Sequence, residues 1–130
     1  MFNQDYFSRW LGIERLDEGP GFCKLKMEIR KEMCNGFGIA HGGITYSFAD
    51  SALAFASNSH GQKAVSIETS ISHIKPLHPG DIIIATAEEK NCSNRIGIYE
   101  VRIEKKYGEL VALFKGTVFR KDTLWEGDEQ

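Results

Sequence analysis

What the sequence has little of narrows its reading first. Its 130 residues include three cysteines, widely spaced at positions 23, 34 and 92. There is no C-x-x-C pair and no cluster of metal-ligand spacing, which excludes a disulfide-stapled scaffold. Cys23, Cys34 and Cys92 therefore read as free thiols in a reducing cytoplasm. His41, His60, His73 and His78 form no H-x-x-x-H pair, so no metal and no cofactor is expected. No apolar run approaches the ~18 residues that a membrane crossing needs. The opening MFNQDYFSRW lacks the basic-then-apolar layout of a secretory leader. Basic charge is not in excess either: 16 Lys and Arg stand against 18 Asp and Glu, a net charge of −2. That balance argues against a nucleic-acid partner. Without repeats or low-complexity segments, the length fits one domain over residues 1–130 with a proper core.

The stretch poorest in charge says most. Between His41 and His60 the only side chain charged at neutral pH is Asp50. Gly36, Gly38, Gly42 and Gly43 form a glycine-rich approach, and Ile44 to Asn58 then contains neither Pro nor Gly. That spacing predicts a helix of roughly 20 Å or more, with Gly61 just past its end. A surface helix carries charges along its wet face. This one has almost none, so it is expected to be buried around most of its circumference, with Ala49, Ala52, Ala54 and Ala56 allowing close approach. A lone carboxylate there costs free energy to desolvate unless it is paired, and no Lys or Arg lies three or four positions away. Asp50 therefore faces a cleft or does chemistry, the alternative being a hydrogen-bonded structural Asp. The Gly42-Gly43 entry into the helix offers unpaired N–H groups at a positive dipole end, suited to a developing oxyanion. The alternative is a simple tight turn.

Around this helix the pattern is mostly β. Phe2 to Leu11 predicts a short amphipathic helix with Phe2, Tyr6, Phe7, Trp10 and Leu11 as its apolar stripe and Asn3 as its cap. Ile13 to Asp17 reads as a strand and Glu18 to Gly21 as a turn. Cys23, Leu25, Met27 and Ile29 alternate with Lys24, Lys26 and Glu28, a half-buried antiparallel strand. Further strands are expected at Ala64 to Lys75, Asp81 to Lys90, Ile96 to Lys105 and Glu109 to Arg120. The last is apolar on both faces and so central in the sheet. The polar tail from Lys121 is expected to fray. The result is an α+β layout of one buried helix and five or six mostly antiparallel strands. Its open edges favour a homo-oligomer.

These residues resemble the hotdog-fold acyl-coenzyme A thioesterases of the PaaI type. The likeness runs from Asn35-Gly36 through His41-Gly42-Gly43 and Phe48-Ala49-Asp50. It continues at Ile71 to Gly80 (ISHIKPLHPG), Gly97 to Val101 and Val111 to Gly116, covering nearly the whole chain. The resemblance implies an antiparallel sheet wrapped around one long central helix. It also implies hydrolysis of acyl-CoA thioesters to free acid and CoA, with small aromatic acyl groups such as phenylacetyl or hydroxyphenylacetyl. In that reading Asp50 is the catalytic carboxylate, as general base or as nucleophile. The Gly42 N–H polarises the thioester carbonyl, Asn35 orients substrate or water, and His41 positions. Gly43 and Ser66 contact the substrate. The family builds each site across a dimer interface, so a homodimer or homotetramer is implied. Two other classes stand beside it. One is a non-enzymatic acyl-CoA sensor, which would carry a DNA-binding segment. The other is an acyl-thioester hydratase or dehydratase, which needs a His beside its acid. Lys75, Lys90, Arg95 and Arg120 are candidates for holding the coenzyme phosphates.

Overall fold

The computed structural model describes residues 5–124. Helix α1 spans Tyr6–Leu11, and strands β1 (Glu14–Gly19) and β2 (Phe22–Glu28) follow it. Helix α2 runs over Gly42–Ser57. Strands β3 (Gln62–His73), β4 (Ile82–Cys92), β5 (Ile96–Lys105) and β6 (Leu110–Leu124) complete the chain. The six strands form one antiparallel sheet in the order β1-β2-β4-β5-β6-β3. Helix α2 packs against β2, β4, β5, β3 and β6, which is the expected arrangement of a sheet wrapped around one helix. No helix among the described residues is long and apolar enough to cross a membrane.

Alternation explains the core. Cys23, Leu25, Met27 and Ile29 are all buried, as are Tyr99, Val101 and Ile103 of β5. They meet Phe48, Ala49, Ala52, Leu53, Phe55 and Ala56 of α2. Gly116 of β6 is one of the closest approaches. A Cβ added there would stand 2.5 Å from Leu53 Cδ2, so the missing side chain lets the helix lie down on the sheet. Strand β6 is bonded on both sides, to β5 and to β3, as its two apolar faces predict.

The structure corrects several expectations. The predicted α1 begins too early. Asp5 is its cap, its carboxylate accepting from the Ser8 N–H, while Phe2 and Asn3 lie outside the described residues. Its aromatic stripe is not a core stripe either. Leu11 and Ser8 are buried, but Tyr6, Phe7 and Trp10 face outward. The helix is too short to bury a broad face, and it docks through the hydrogen bond between Ser8 Oγ and Ser51 Oγ (3.0 Å). The first hairpin turns on Pro20-Gly21 alone, with Gly21 at φ +69°. Strand β4 runs on through Cys92, past the expected end at Lys90. Strand β6 continues through Leu124 instead of fraying at Lys121. The rest of the expected tail lies outside the described residues.

The two edges of the sheet are unlike. Strand β1 is short, charged (Glu14, Arg15, Asp17, Glu18) and bulged between Arg15 and Asp17. Those are the features that blunt an edge. Strand β3 also shifts register, between Gln62 and Ala64 and between Ser66 and Glu68, but it has twelve residues and carries Val65 and Ile67 at 44% and 58% exposure.

Candidate active site

Strand β3 runs antiparallel to α2 and sets three pairs along it. At one end, the His73 ring lies over Gly42: a Cβ added to Gly42 would stand 3.1 Å from His73 Nε2. In the middle, the Tyr46 hydroxyl is hydrogen-bonded to Thr69 Oγ1. Further along, Asp50 and Ser66 line one pocket of about 70 Å³ with Leu53, Ala54, Ser57, Ala64 and Val118.

The helix start is built by the preceding loop. Asn35 N–H donates to Ile39 O at 2.8 Å, and Asn35 Oδ1 accepts from Phe37 N–H at 2.9 Å and Ile39 N–H at 3.4 Å. The side chain thus shapes the loop and leaves its Nδ2 without an acceptor among the described residues. His41 N–H donates to Met33 O, and Ile44 N–H donates to His41 O. Between them, the N–H groups of Gly42 and Gly43 find no acceptor among the described residues. They are the orphan donors of a helix N-terminus, and both glycines are exposed. His41 holds the N-cap position, but its exposed imidazole makes no capping bond.

Asp50 sits in a different setting. Burial raises its carboxyl above the ordinary range, and the nearby charge of Asp5 adds to the effect. Among the described residues nothing donates a hydrogen bond to it, so the alternative of a hydrogen-bonded structural Asp has no partner here. A carboxylate with a raised pKa is a better base than an ordinary one.

The predicted site residues therefore fall into two groups. Asn35, His41, Gly42 and Gly43 gather at the start of α2, and Asp50 and Ser66 gather halfway along it. Eight positions at ~1.5 Å each put Gly42 and Asp50 roughly 12 Å apart along one helix. That is too far for both to act on one thioester carbon within a chain. Sequence reasoning missed His73 at the first group and Asp5 near the second. The signal for His73 was the antiparallel run of β3 along α2, which needs the register to be known. Phe48 and Phe55 on α2 are core residues. Asn58 is committed to Ala54 O and the backbone of Ala64. Lys75 and Arg95 are engaged in ion pairs with Glu109 and Asp122, and Arg120 holds Gln62 and Ser93 O.

Comparison with known proteins identifies the family. A family model described as the thioesterase superfamily matches residues 37–112. The acyl-coenzyme A thioesterase PaaI of Escherichia coli is 34% identical over 120 residues, 92% of this chain and 86% of that protein. The solved structure of E. coli PaaI, from the phenylacetic acid degradation operon, superposes with a TM-score of 0.93, covering 95% of this chain and 90% of that one. A mutant of the phenylacetic acid degradation protein PaaI from Thermus thermophilus is 41% identical, with a TM-score of 0.87 over 90% of this chain and all of its own. The chain belongs to the thioesterase superfamily, as a hotdog-fold protein of the PaaI type.

Proposed function

We propose that this protein hydrolyses acyl-coenzyme A thioesters of small aromatic acids, in a site shared between two copies of the chain. The observation that carries this reading is the pairing of a half-buried, unpartnered Asp50 with free helix-start N–H groups on the same element. The long edge of β3, with Val65 and Ile67 exposed, supplies the interface. Two β3 edges joined antiparallel about a two-fold axis would set the Ser66 end of one strand beside the His73 end of the other. Because β3 tracks α2, Asp50 would then face the partner subunit's Gly42 and the partner subunit's Asn35. Two such dimers can pair into a tetramer.

In this arrangement the thioester oxygen accepts a hydrogen bond from Gly42 N–H, with Gly43 beside it. Negative charge growing on that oxygen meets the positive end of α2. Asn35 Nδ2 and His41 hold the substrate or the water. Asp50 removes a proton from water as the water attacks the carbonyl carbon. Alternatively, it attacks that carbon itself, giving an anhydride that water then opens. Either way the C–S bond breaks and CoA leaves as its thiol. Single turnover in ¹⁸O-water separates the two, since only the anhydride route can place the label in Asp50. Among the described residues no His lines the Asp50 pocket, which disfavours the hydratase alternative.

The pocket in one chain is smaller than the ~300 Å³ or more of a ligand site, so the partner completes it. Leu53, Ala54 and Val118 give it an apolar wall, and Ser66 is its polar partner for a ring hydroxyl. The test is kcat/KM for phenylacetyl-, hydroxyphenylacetyl-, benzoyl-, short-chain and medium-chain CoA. Aromatic acyl groups should lead, and Ser66→Ala should selectively reduce the hydroxylated one. A preference for straight chains over every aromatic group would overturn the aromatic assignment. The three free thiols suit the reducing cytoplasm proposed for the protein.

A further inference from the structure

A second cluster of reactive side chains lies toward the opposite end of α2 from Gly42, outside the residues assigned to the thioester. His60 follows α2, Glu89 and Cys92 belong to β4, and Tyr99 belongs to β5. His60 Nε2 lies 2.6 Å from Glu89 Oε1, and the Tyr99 hydroxyl donates to the same oxygen at 2.7 Å. The Cys92 thiol lies close to the same carboxylate. One ligand atom from each of His60, Glu89 and Cys92 lies within 4.8 Å of the other two.

The backbone makes this meeting possible. In a regular strand, positions 89 and 92 point to opposite faces, because side chains alternate. The register of β4 on β5 slips between Glu89, opposite Tyr99, and Asn91, opposite Ile98. The extra residue reverses the alternation and turns Cys92 toward Glu89. Gly21 clears room for the carboxylate, since a Cβ there would stand 2.9 Å from Glu89 Cβ. Ser59 fixes the turn that carries His60. Its hydroxyl donates to Ala56 O at 2.6 Å and accepts from Gly21 N–H at 2.7 Å.

We propose that His60, Glu89 and Cys92 bind a borderline-soft divalent transition metal ion, with zinc as the type. An imidazole nitrogen, a thiolate and a carboxylate form a three-ligand set that leaves a fourth position for solvent. The mixture of soft and nitrogen ligands selects against magnesium and calcium. Tetrahedral bonds of about 2.0–2.3 Å set ligand atoms roughly 3.4–3.8 Å apart. Rotation of the exposed His60 and Cys92 side chains closes that difference. Binding replaces the His60–Glu89 hydrogen bond and releases the Cys92 thiol proton to solvent. The ion's two positive charges then meet two negative ligands. Tyr99, buried on β5, keeps the carboxylate oriented from behind. The ion would tie the turn after α2 to β4, a structural role independent of thioester hydrolysis.

The experiment adds one equivalent of cobalt(II) to the reduced full-length protein and reads its absorption, then displaces cobalt with zinc. A near-ultraviolet thiolate-to-cobalt band with tetrahedral visible bands should saturate at one ion per chain. Cys92→Ser should abolish the thiolate band, and Cys34→Ser should keep it. His60→Ala should weaken binding at least about tenfold, and Tyr99→Phe by about 10–100-fold, as loss of an outer partner does. Circular dichroism of each variant checks that it is folded. No thiolate band at one equivalent, or equal affinity in folded Cys92→Ser and His60→Ala, overturns the proposal. So does equal binding of magnesium.

Discussion

Asp50→Asn should destroy activity and stabilise the fold at once. The substitution keeps the shape of the side chain and removes its charge. In the native protein that charge is half-buried, lacks a hydrogen-bond donor among the described residues and is repelled by Asp5. Loss of a general base costs about 10²–10⁴ in rate, or about 2.7–5.4 kcal/mol of transition-state stabilisation at 1.36 kcal/mol per tenfold. Relief of the buried charge works the other way, with a gain on the order of 0.5–1 kcal/mol at neutral pH. In a chain of this size that raises Tm by about 2–5 °C.

The pH dependence fixes the cause. A carboxyl whose folded pKa is raised stabilises the native state while it is protonated, and that stability is lost as pH rises through the folded pKa. The native protein therefore carries the full cost at neutral pH. The Tm advantage of Asp50→Asn should shrink as pH falls through the raised pKa toward the ordinary value of 3.8. Activity of the parent should fall along the same acid limb. Release of CoA thiol, followed with a disulfide reagent, measures hydrolysis, and thermal melts from pH 4 to 8 measure stability. An Asn variant that hydrolyses the parent's substrates at near-parent rates refutes the catalytic role. A variant less stable than the parent at pH 7 refutes the account of the buried charge.

The remaining predictions concern the shared site and its interface. Mixing Asp50→Ala with Asn35→Ala protein should recover activity, up to about a quarter of the parent value if subunits exchange at random, because each mixed dimer holds one intact site. No recovery despite demonstrated exchange would place the site within one chain. Ile67→Lys puts a charge on the exposed edge of β3 and should shift the protein to monomers in light scattering; an unchanged mass would exclude β3 as the interface. Gly42→Ala keeps the N–H but places a methyl 3.1 Å from His73 Nε2, where the proposed site would hold the substrate. It should lower kcat/KM by tenfold or more, about 1.4 kcal/mol, while leaving Tm within a few degrees; undiminished hydrolysis would remove Gly42 from the site.

Much of the fold was legible because burial and spacing speak together. Cys23, Leu25, Met27 and Ile29 alternate in sequence and are buried as a set, the first three in β2 and Ile29 just past its end. The run after His41, with Asp50 as its one charged side chain, is a helix enclosed by the sheet, ending at Ser57 before the Asn58 cap. Alternation fails where it meets a short element or a bulge. Three aromatics on the six-residue α1 look like a core stripe, yet a helix that short has no broad face to bury. Glu89 and Cys92 look like opposite faces of β4, and only the slip in pairing with β5 reveals that they touch. No pattern in one strand announces a bulge, because the extra residue is defined by the neighbouring strand.

The candidate site residues could be named from the sequence but not arranged from it, for a reason that lies in the helix itself. Gly42 and Asp50 were singled out by different arguments, one from orphan N–H groups and one from an isolated carboxylate. Both arguments are local and both survive in the structure. Their combination is not local. The rise of α2 holds the two groups roughly 12 Å apart, while a thioester carbon needs both within contact. One chain cannot satisfy that geometry, but two chains can, provided their strands run in opposite directions. The β3 edge is the longer of the two and exposes Val65 and Ile67, although it too shifts register, between Gln62 and Ala64 and between Ser66 and Glu68, while the β1 edge is short and charged. The eight-residue spacing between a glycine donor and a carboxylate on one helix is thus itself a statement about assembly: an enzyme built from these two groups has to be at least a dimer.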